Sequence, residues 1–245
     1  MHELDDPARV DALRRLIRSK PALERWYLEC YAKYAACVAR CPPHGDVLEL
    51  GSGAGFLEEV MPAAVTSDVL PYAGVDRVVD AAQLPFADAS LRAILMLNVL
   101  HHLADVEAFF REAQRTLVPG GRVFLVDQYL GWISTPILRW LHHEPCDPGA
   151  ERWSFDTRGP LSGANGALAW IVFERDRARF EQRFPALRIA AYAPHTPLRY
   201  FLAGGLKRWS LLPGAAFPLA SALDLALARA SPRWCSFVDV ELVRI

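Results

Sequence analysis

The chain has almost no excess of charge of either sign. Its 27 Lys and Arg stand against 28 Asp and Glu and leave a formal net charge of −1. Proteins dedicated to nucleic acids usually show a basic excess or a basic stripe. The charge balance therefore argues against a nucleic-acid partner.

The chain also lacks the segments that carry proteins into or across membranes. Residues 1–6 read MHELDD, without the basic and apolar regions of a signal peptide. The most apolar late stretch is broken by Pro213, Pro218 and Asp224, so it is not suited to a spanning helix. We expect a cytoplasmic protein with no membrane span.

Recognisable metal-binding spacing is missing as well. Cys30, Cys37 and Cys41 lie seven and four positions apart, unlike the C-x-x-x-C-x-x-C of an iron–sulfur site. That spacing instead puts them on one face of a helix, where cysteine packs as a small hydrophobe. The group His142, His143, Cys146 and Asp147 is only a weak alternative, because two adjacent histidines rarely converge on one ion. We predict no metal site.

Three glycines stand close together directly after a short apolar run. The apolar run D-V-L-E-L at 46–50 is typical of a strand buried in a parallel sheet, and Gly51, Gly53 and Gly55 follow it directly. Glycine lets a backbone turn sharply and approach a ligand. Residues 56–61 can then start a helix whose free N–H groups face that ligand. The segment predicts a nucleotide-type cradle.

Two acidic residues follow at spacings that suit a nucleotide. Asp68 closes a short apolar segment, 17 positions after Gly51, near where a βαβ unit places its ribose-binding carboxylate. Asp80 opens the stretch D-A-A-Q-L-P-F. Taken alone, both are ordinary strand-end and turn aspartates. In register with the glycine loop, they favour a cofactor site.

These motifs resemble those of the class I S-adenosylmethionine (SAM) methyltransferases. The E-x-G-x-G-x-G at 49–55 resembles motif I of that family, whereas a dinucleotide fingerprint would place its third glycine where Phe56 stands. The L-P-F stretch after Asp80, the strand ending in L-H-H-L at 100–103, and the L-x-P-G-G at 117–121 follow in the family's order. The resemblance covers about residues 44–130 and is closest to the small-molecule branch that includes quinone methyltransferases.

The resemblance implies a Rossmann-like α/β fold. We expect a seven-stranded, mostly parallel sheet with helices on both faces, an antiparallel last strand, N-terminal helices and an insertion after strand 5. The segment after Asp127 is too long and too rich in Trp, Pro and His for a simple loop, and such segments are usually functional. We predict one methyltransferase domain over 1–245, divided into a helical cap (1–43), a SAM-binding core (44–130), a substrate-covering insertion with the remaining core elements (131–233) and a closing edge strand (234–245).

Roles for individual residues also come from the resemblance. His101 and His102 follow the fourth strand, at the sheet edge where open α/β folds bind ligands. Either could act as a general base, or could merely pack at the strand–helix junction. Some residues are expected to contact SAM and others to order the loop that binds it. They are Glu49, Gly51, Ser52, Gly53 and Gly55 in the loop, Asp68 and Val69 near the ribose, Asp80 and Ala81 near the adenine, and Asn98 near the amino group.

Methyl transfer from SAM to a small apolar or aromatic acceptor, leaving S-adenosylhomocysteine, is the predicted activity. Such a transfer is an in-line displacement, so the protein mainly has to hold donor and acceptor aligned. Two alternatives stay open. An NAD(P)-dependent oxidoreductase of similar topology is disfavoured by Phe56. A non-catalytic partner protein that keeps the fold is disfavoured by the intact glycine and acidic positions.

Overall fold

A computed structural model describes residues 8–157, 159 and 163–245. The outermost part of the expected helical cap (1–7) and a short piece of the insertion (158 and 160–162) lie outside the described residues. Within the described residues, seven strands form one sheet. The strands are β1 Asp46–Leu50, β2 Ala64–Asp68, β3 Arg77–Val78, β4 Leu91–Leu97, β5 Leu117–Gln128, β6 Leu187–His195 and β7 Phe237–Arg244.

The helices surround this sheet, in the expected places after β1, β4 and β5 and before β1. The short helices α5 and α6 each continue into a π-helical turn, Ile137–Leu141 and Ile171–Arg175. The helices are α1 Ala8–Arg18, α2 Pro21–Val38, α3 Leu57–Val60, α4 Val106–Thr116, α5 Ser134–Pro136, α6 Leu168–Trp170, α7 Arg177–Arg183, α8 Arg199–Leu202 and α9 Phe217–Ala230.

The strand order is β3-β2-β1-β4-β5-β7-β6. The first five of these strands pair in parallel, and β7 runs antiparallel to both of its neighbours. Successive residues of one strand point to opposite faces. Leu48 and Ile94 accordingly join the core on one face, whereas Val47 and Ala93 join the core on the other. The predicted Rossmann-like fold with an antiparallel last strand is confirmed.

The predicted edge position of the last strand is wrong. β7 lies between β5 and β6, so β6 is the edge strand. The structure gives the polar residues that alternate along β7 charged partners. Asp239 pairs with Lys33 of α2 at 2.7 Å, and Glu241 pairs with Arg40, two residues past the end of α2, at 2.6 Å. These polar side chains of β7 therefore face charged residues and not open solvent.

Helix α2 packs its aromatic residues against the sheet. Tyr27, Tyr31 and Tyr34 are buried in the core on that face, as the i, i+4, i+7 spacing predicts for a packing stripe. Tyr31 also accepts a hydrogen bond from the backbone N–H of Phe56 through its hydroxyl, at 2.9 Å. The helix therefore also positions the segment after the glycine loop.

Two of the three cysteines expected on one helix face lie on α2. Cys30 and Cys37 are buried there, whereas Cys41 lies three residues past the end of the helix and is partly buried, and all three are free thiols. Among the described helices, none has the combination of length and apolar character that crossing a membrane requires.

Candidate active site

The predicted site residues come together at the carboxyl ends of the central strands. β1 pairs with β4 through Leu50 and Met96, and β4 pairs with β5 through Leu97 and Val126. Because these strands are parallel, the residues that follow them emerge at one edge of the sheet. Open α/β sheets bind ligands at this edge.

The glycine loop depends on backbone conformations that favour glycine. Gly51 has φ +67°, and a Cβ there would lie 2.5 Å from Cγ2 of Val99. Gly53 has φ +49°, and a Cβ there would meet only the carbonyl oxygen of Gly51, at 3.8 Å. Gly51 is thus fixed by packing under the loop, whereas the space beside Gly53 is open, as a cradle for a ligand requires. A Cβ at Gly55 would lie 2.7 Å from the Tyr31 hydroxyl, so that glycine is needed for packing.

Glu49 holds the loop from below. It is 3% exposed, and its carboxylate accepts a hydrogen bond from the Ser52 hydroxyl at 2.6 Å. The backbone N–H of Ser52 donates to the carbonyl of Ser67 on β2 at 2.8 Å. Burial raises the pKa of Glu49 to about 7. Glu49 orders the loop, as predicted, and its contact with a cofactor stays a prediction.

The raised pKa of Glu49 predicts that the folded protein becomes less stable as the pH rises. An unfolded glutamate loses its proton near pH 4.5, whereas the folded protein keeps that proton to about pH 7. Between these values the folded state binds more protons, so rising pH favours unfolding. From pH 5.5 to 7.0 this group should remove about 1–2 kcal/mol from the free energy of unfolding.

Urea unfolding of the wild type and of Glu49→Gln over this pH range measures the effect. Glutamine keeps an acceptor for the Ser52 hydroxyl but does not titrate. The variant should therefore gain about 1–2 kcal/mol on the wild type from pH 5.5 to 7.0. Parallel pH curves for the two proteins would show that Glu49 ionises normally in the folded state.

Asp68, at the end of β2, ties this strand to the loop. Its two carboxylate oxygens accept hydrogen bonds from the backbone N–H groups of Gly53 and Leu70, each at 3.0 Å. The hydroxyl of Tyr72 donates to the Gly53 carbonyl at 3.1 Å and lies 3.5 Å from the carboxylate. Burial raises the pKa of Asp68. Each carboxylate oxygen has a further lone pair, so Asp68 can also accept from vicinal hydroxyls.

Tyr72 is a site residue that the sequence did not indicate, because its place depends on the fold of the loop after β2. Asp80 and Ala81 lie near the same edge, since the N–H of Val79 donates to the Asp68 carbonyl at 2.8 Å. Asp80 is exposed and accepts from the N–H of Ala82 at 2.8 Å. The structure thus brings the second predicted acidic residue close to the first.

Asn98, directly after β4, carries an unpaired polar atom. Its backbone has φ +56°, a conformation that few residues other than glycine adopt. Its side-chain oxygen is buried and has no hydrogen-bond partner among the described residues. Leaving such a group unpaired is costly, so the site offers an acceptor to a ligand that carries N–H groups.

His101 is the most buried of the predicted catalytic residues. Its side chain is 2% exposed, and Nδ1 lies 2.6 Å from the Asp127 carboxylate at the end of β5. Burial alone would lower the pKa of His101, but the Asp127 charge and hydrogen bond raise it to about 10. The imidazole is therefore protonated near neutral pH. This geometry suits a fixed cation better than a general base.

His102 has the opposite electrostatic environment. Burial and the charge of His101 lower the pKa of His102 to about 4. Its Nδ1 lies 3.3 Å from the carbonyl oxygen of Gly163 in the segment after β5. A neutral imidazole at this place could accept a proton or a ligand, so its predicted role as a base stays a prediction.

Glu144 completes the site from the segment after β5. Its side chain is 16% exposed and lies 3.4 Å from Nε2 of His101 and 3.7 Å from Nε2 of His102. Burial alone would raise the pKa of Glu144, but the surrounding histidines lower it to about 2. The sequence could not identify it, since about forty residues separate it from His101. The signal was its position directly after His142 and His143.

Comparisons with known proteins agree with the fold and with the family resemblance of the sequence. Residues 48–125 match the family described as "Methyltransferase domain". The 27-O-demethylrifamycin SV methyltransferase of Amycolatopsis mediterranei is 46% identical over 56 residues, 21% of each chain. The ubiquinone/menaquinone biosynthesis C-methyltransferase UbiE of Desulfotalea psychrophila is 30% identical over 122 residues, 42% of this chain and 48% of that protein.

Among solved structures, geranyl diphosphate C-methyltransferase from Streptomyces coelicolor A3(2) is similar over 99% of this chain and 87% of that one. The TM-score is 0.53 at 15% sequence identity, so this likeness concerns the fold alone. The chain spans about half or less of the length of the curated relatives it matches.

Proposed function

We propose that this chain, which belongs to the class I SAM-dependent methyltransferases, transfers a methyl group from SAM to a small apolar or aromatic molecule. The observation that carries the proposal is the joined loop of Glu49, Ser52, Gly53 and Asp68 beside the unpaired oxygen of Asn98. Asp68 offers carboxylate acceptors at one end of this edge, and Asn98 offers a buried side-chain carbonyl oxygen at the other. These are the groups that ribose hydroxyls and an amino group require.

The residues present fit SAM in chemical type. Asp68 would accept from the ribose hydroxyls, Asn98 would accept from the amino group, and Asp80 with Ala81 would border the adenine. Glu49 would act at one remove, through Ser52. SAM supplies a methyl group already activated on a sulfonium, so the protein has to orient the acceptor and exclude water.

The segment after β5 supports the proposed division of the chain. The N–H of Asn165 donates to the carbonyl of His101 at 2.8 Å, and Glu144 reaches the His101 ring. Two separate parts of the 131–233 segment thus pack against the edge that would hold the cofactor. We propose that this segment covers the acceptor. The matched names that refer to a demethylrifamycin and to quinone biosynthesis favour a small organic acceptor.

The proposal is tested by incubating the protein with methyl-labelled SAM and a panel of phenols and hydroquinones. Transfer of label to a small product would support it, and Asp68→Ala should lose most of that transfer. Binding of SAM without transfer to any acceptor of the panel would favour the non-catalytic partner protein. Binding of NAD in place of SAM would favour the oxidoreductase.

A further inference from the structure

Four histidines surround the carboxylate of Glu144. His101 Nε2 and His142 Nδ1 lie 3.4 and 3.5 Å from one of its oxygens, Oε2. His102 Nε2 and His143 Nε2 lie 3.7 and 3.5 Å from the other, Oε1. One carboxylate thus faces two pairs of imidazoles from two distant segments of the chain.

Ordinary hydrogen bonds do not satisfy every atom of this cluster. Within the part of the chain that the structure describes, Oε2 of Glu144 is buried and has no hydrogen-bond partner, although two imidazole nitrogens lie near it. The ligand atoms of His101, His102 and Glu144 all lie within 4.8 Å of one another. Ligands about 2.0–2.2 Å from a zinc ion lie roughly 3–3.5 Å apart, so this spacing is close to that of a ligand set.

Asp127 supplies the outer partner that metal-binding histidines usually have. Its Oδ1 lies 2.6 Å from Nδ1 of His101, which leaves Nε2 facing Glu144 at 3.4 Å. In the metal-free protein this imidazole is protonated, so a metal ion bound at Nε2 would displace its proton. A carboxylate behind a histidine fixes the orientation of the ring and raises the basicity of its free nitrogen. Asp127 is itself fully buried at the end of β5. The inner half of the cluster is therefore held by the sheet.

We propose that His101, His102 and Glu144 bind a divalent transition-metal ion of the zinc class. Two imidazoles and one carboxylate leave at least one coordination position free for water, as in catalytic zinc sites. Nitrogen ligands make Mg²⁺ and Ca²⁺ poor occupants, since these ions prefer oxygen. The proposal does not depend on methyl transfer. It replaces the sequence-based expectation of no metal site.

The ion is assigned to the inner histidines instead of His142 and His143. The inner pair is more buried, with side chains 2% and 22% exposed, against 26% and 49% for the outer pair. Only His101 among the four has a buried carboxylate behind its ring among the described contacts. His142 and His143 would close the site from outside.

Metal content and cobalt absorption test the assignment. The full chain is stripped with a chelator, dialysed against micromolar Zn²⁺ or Co²⁺, and measured for bound metal and for visible Co²⁺ bands. The wild type should hold one ion per chain, and Mg²⁺ should not displace it. Glu144→Gln and His102→Ala should each lose at least tenfold in affinity, and Asp127→Asn about tenfold or more. His44→Ala, which removes an exposed histidine outside the cluster, should bind as the wild type does.

Each result decides the matter. Glu144→Gln preserves the shape of the side chain, so it should fold even if a histidine variant does not, and circular dichroism checks this. Absence of a bound ion in the folded wild type, or unchanged affinity in folded Glu144→Gln, would overturn the proposal. Loss of the ion in His142→Ala/His143→Ala with full retention in His102→Ala would place it in the outer group and overturn the assignment. None of these results bears on SAM binding, which is measured separately.

Discussion

Asp68→Ala should weaken SAM binding by about ten- to a hundredfold, equivalent to about 1–3 kcal/mol. The variant removes the acceptor proposed for the ribose hydroxyls. It also leaves the buried N–H groups of Gly53 and Leu70 without their partner, so the loop loses its connection to β2. Isothermal titration with SAM and with S-adenosylhomocysteine measures the loss. The two ligands should be affected alike, because they share the ribose.

Two control variants separate binding from folding in this prediction. Asp68→Asn keeps one acceptor oxygen for the loop, so it should retain the fold and lose part of the affinity. Asp80→Ala alters an exposed carboxylate near the same edge and should cost less than Asp68→Ala. Equal affinity of the wild type and folded Asp68→Ala would show that Asp68 serves the loop alone.

Asp127→Ala should destabilise the metal-free protein by about 3–5 kcal/mol, because it leaves a buried ion pair without one partner. Asp127 is fully buried and accepts from the His101 ring at 2.6 Å and from the N–H of Gln128 at 2.7 Å. Removal of the carboxylate leaves both donors without this acceptor and takes away the nearer of the two carboxylates beside the His101 ring, the other being Glu144 at 3.4 Å. Urea unfolding in the presence of a chelator measures the loss.

Asp127→Asn and Asp46→Ala are the matched controls. Both donors bond the same oxygen of Asp127, Oδ1, and asparagine keeps one such acceptor while losing the charge, so Asp127→Asn should lose clearly less stability than Asp127→Ala. Asp46 begins β1 of the same sheet but is exposed, and its replacement should change stability little. A change for Asp127→Ala as small as that for Asp46→Ala would contradict the buried pair described here.

The sheet and its glycine loop were predictable because their signals are local. An apolar strand, three glycines and the next strand's aspartate lie within residues 46–68, and each follows from backbone geometry. The tyrosine stripe of α2 was predictable for the same reason, since helical periodicity alone places it on the sheet. The antiparallel direction of β7 was also predictable, but its position between β5 and β6 was not.

The features that the sequence did not reveal depend on contacts between distant segments. The ion-pair partners of the polar residues of β7 were not predictable from the strand itself, because Lys33 and Arg40 lie about two hundred positions earlier. Glu144 reaches His101 only because the segment after β5 folds back over the sheet edge. The weak metal signal at His142 and His143 lacked the second segment that supplies the inner histidines. No local rule joins such groups.

The central claim is that the edge formed by Gly53, Asp68 and Asn98 binds SAM. The most direct test is isothermal titration of the wild type with S-adenosylhomocysteine, SAM and NAD. We expect one binding site per chain for S-adenosylhomocysteine and SAM, with a lower affinity in Asp68→Ala. We expect no saturable binding of NAD. Binding of NAD alone, or of none of the three to folded protein, would contradict this claim.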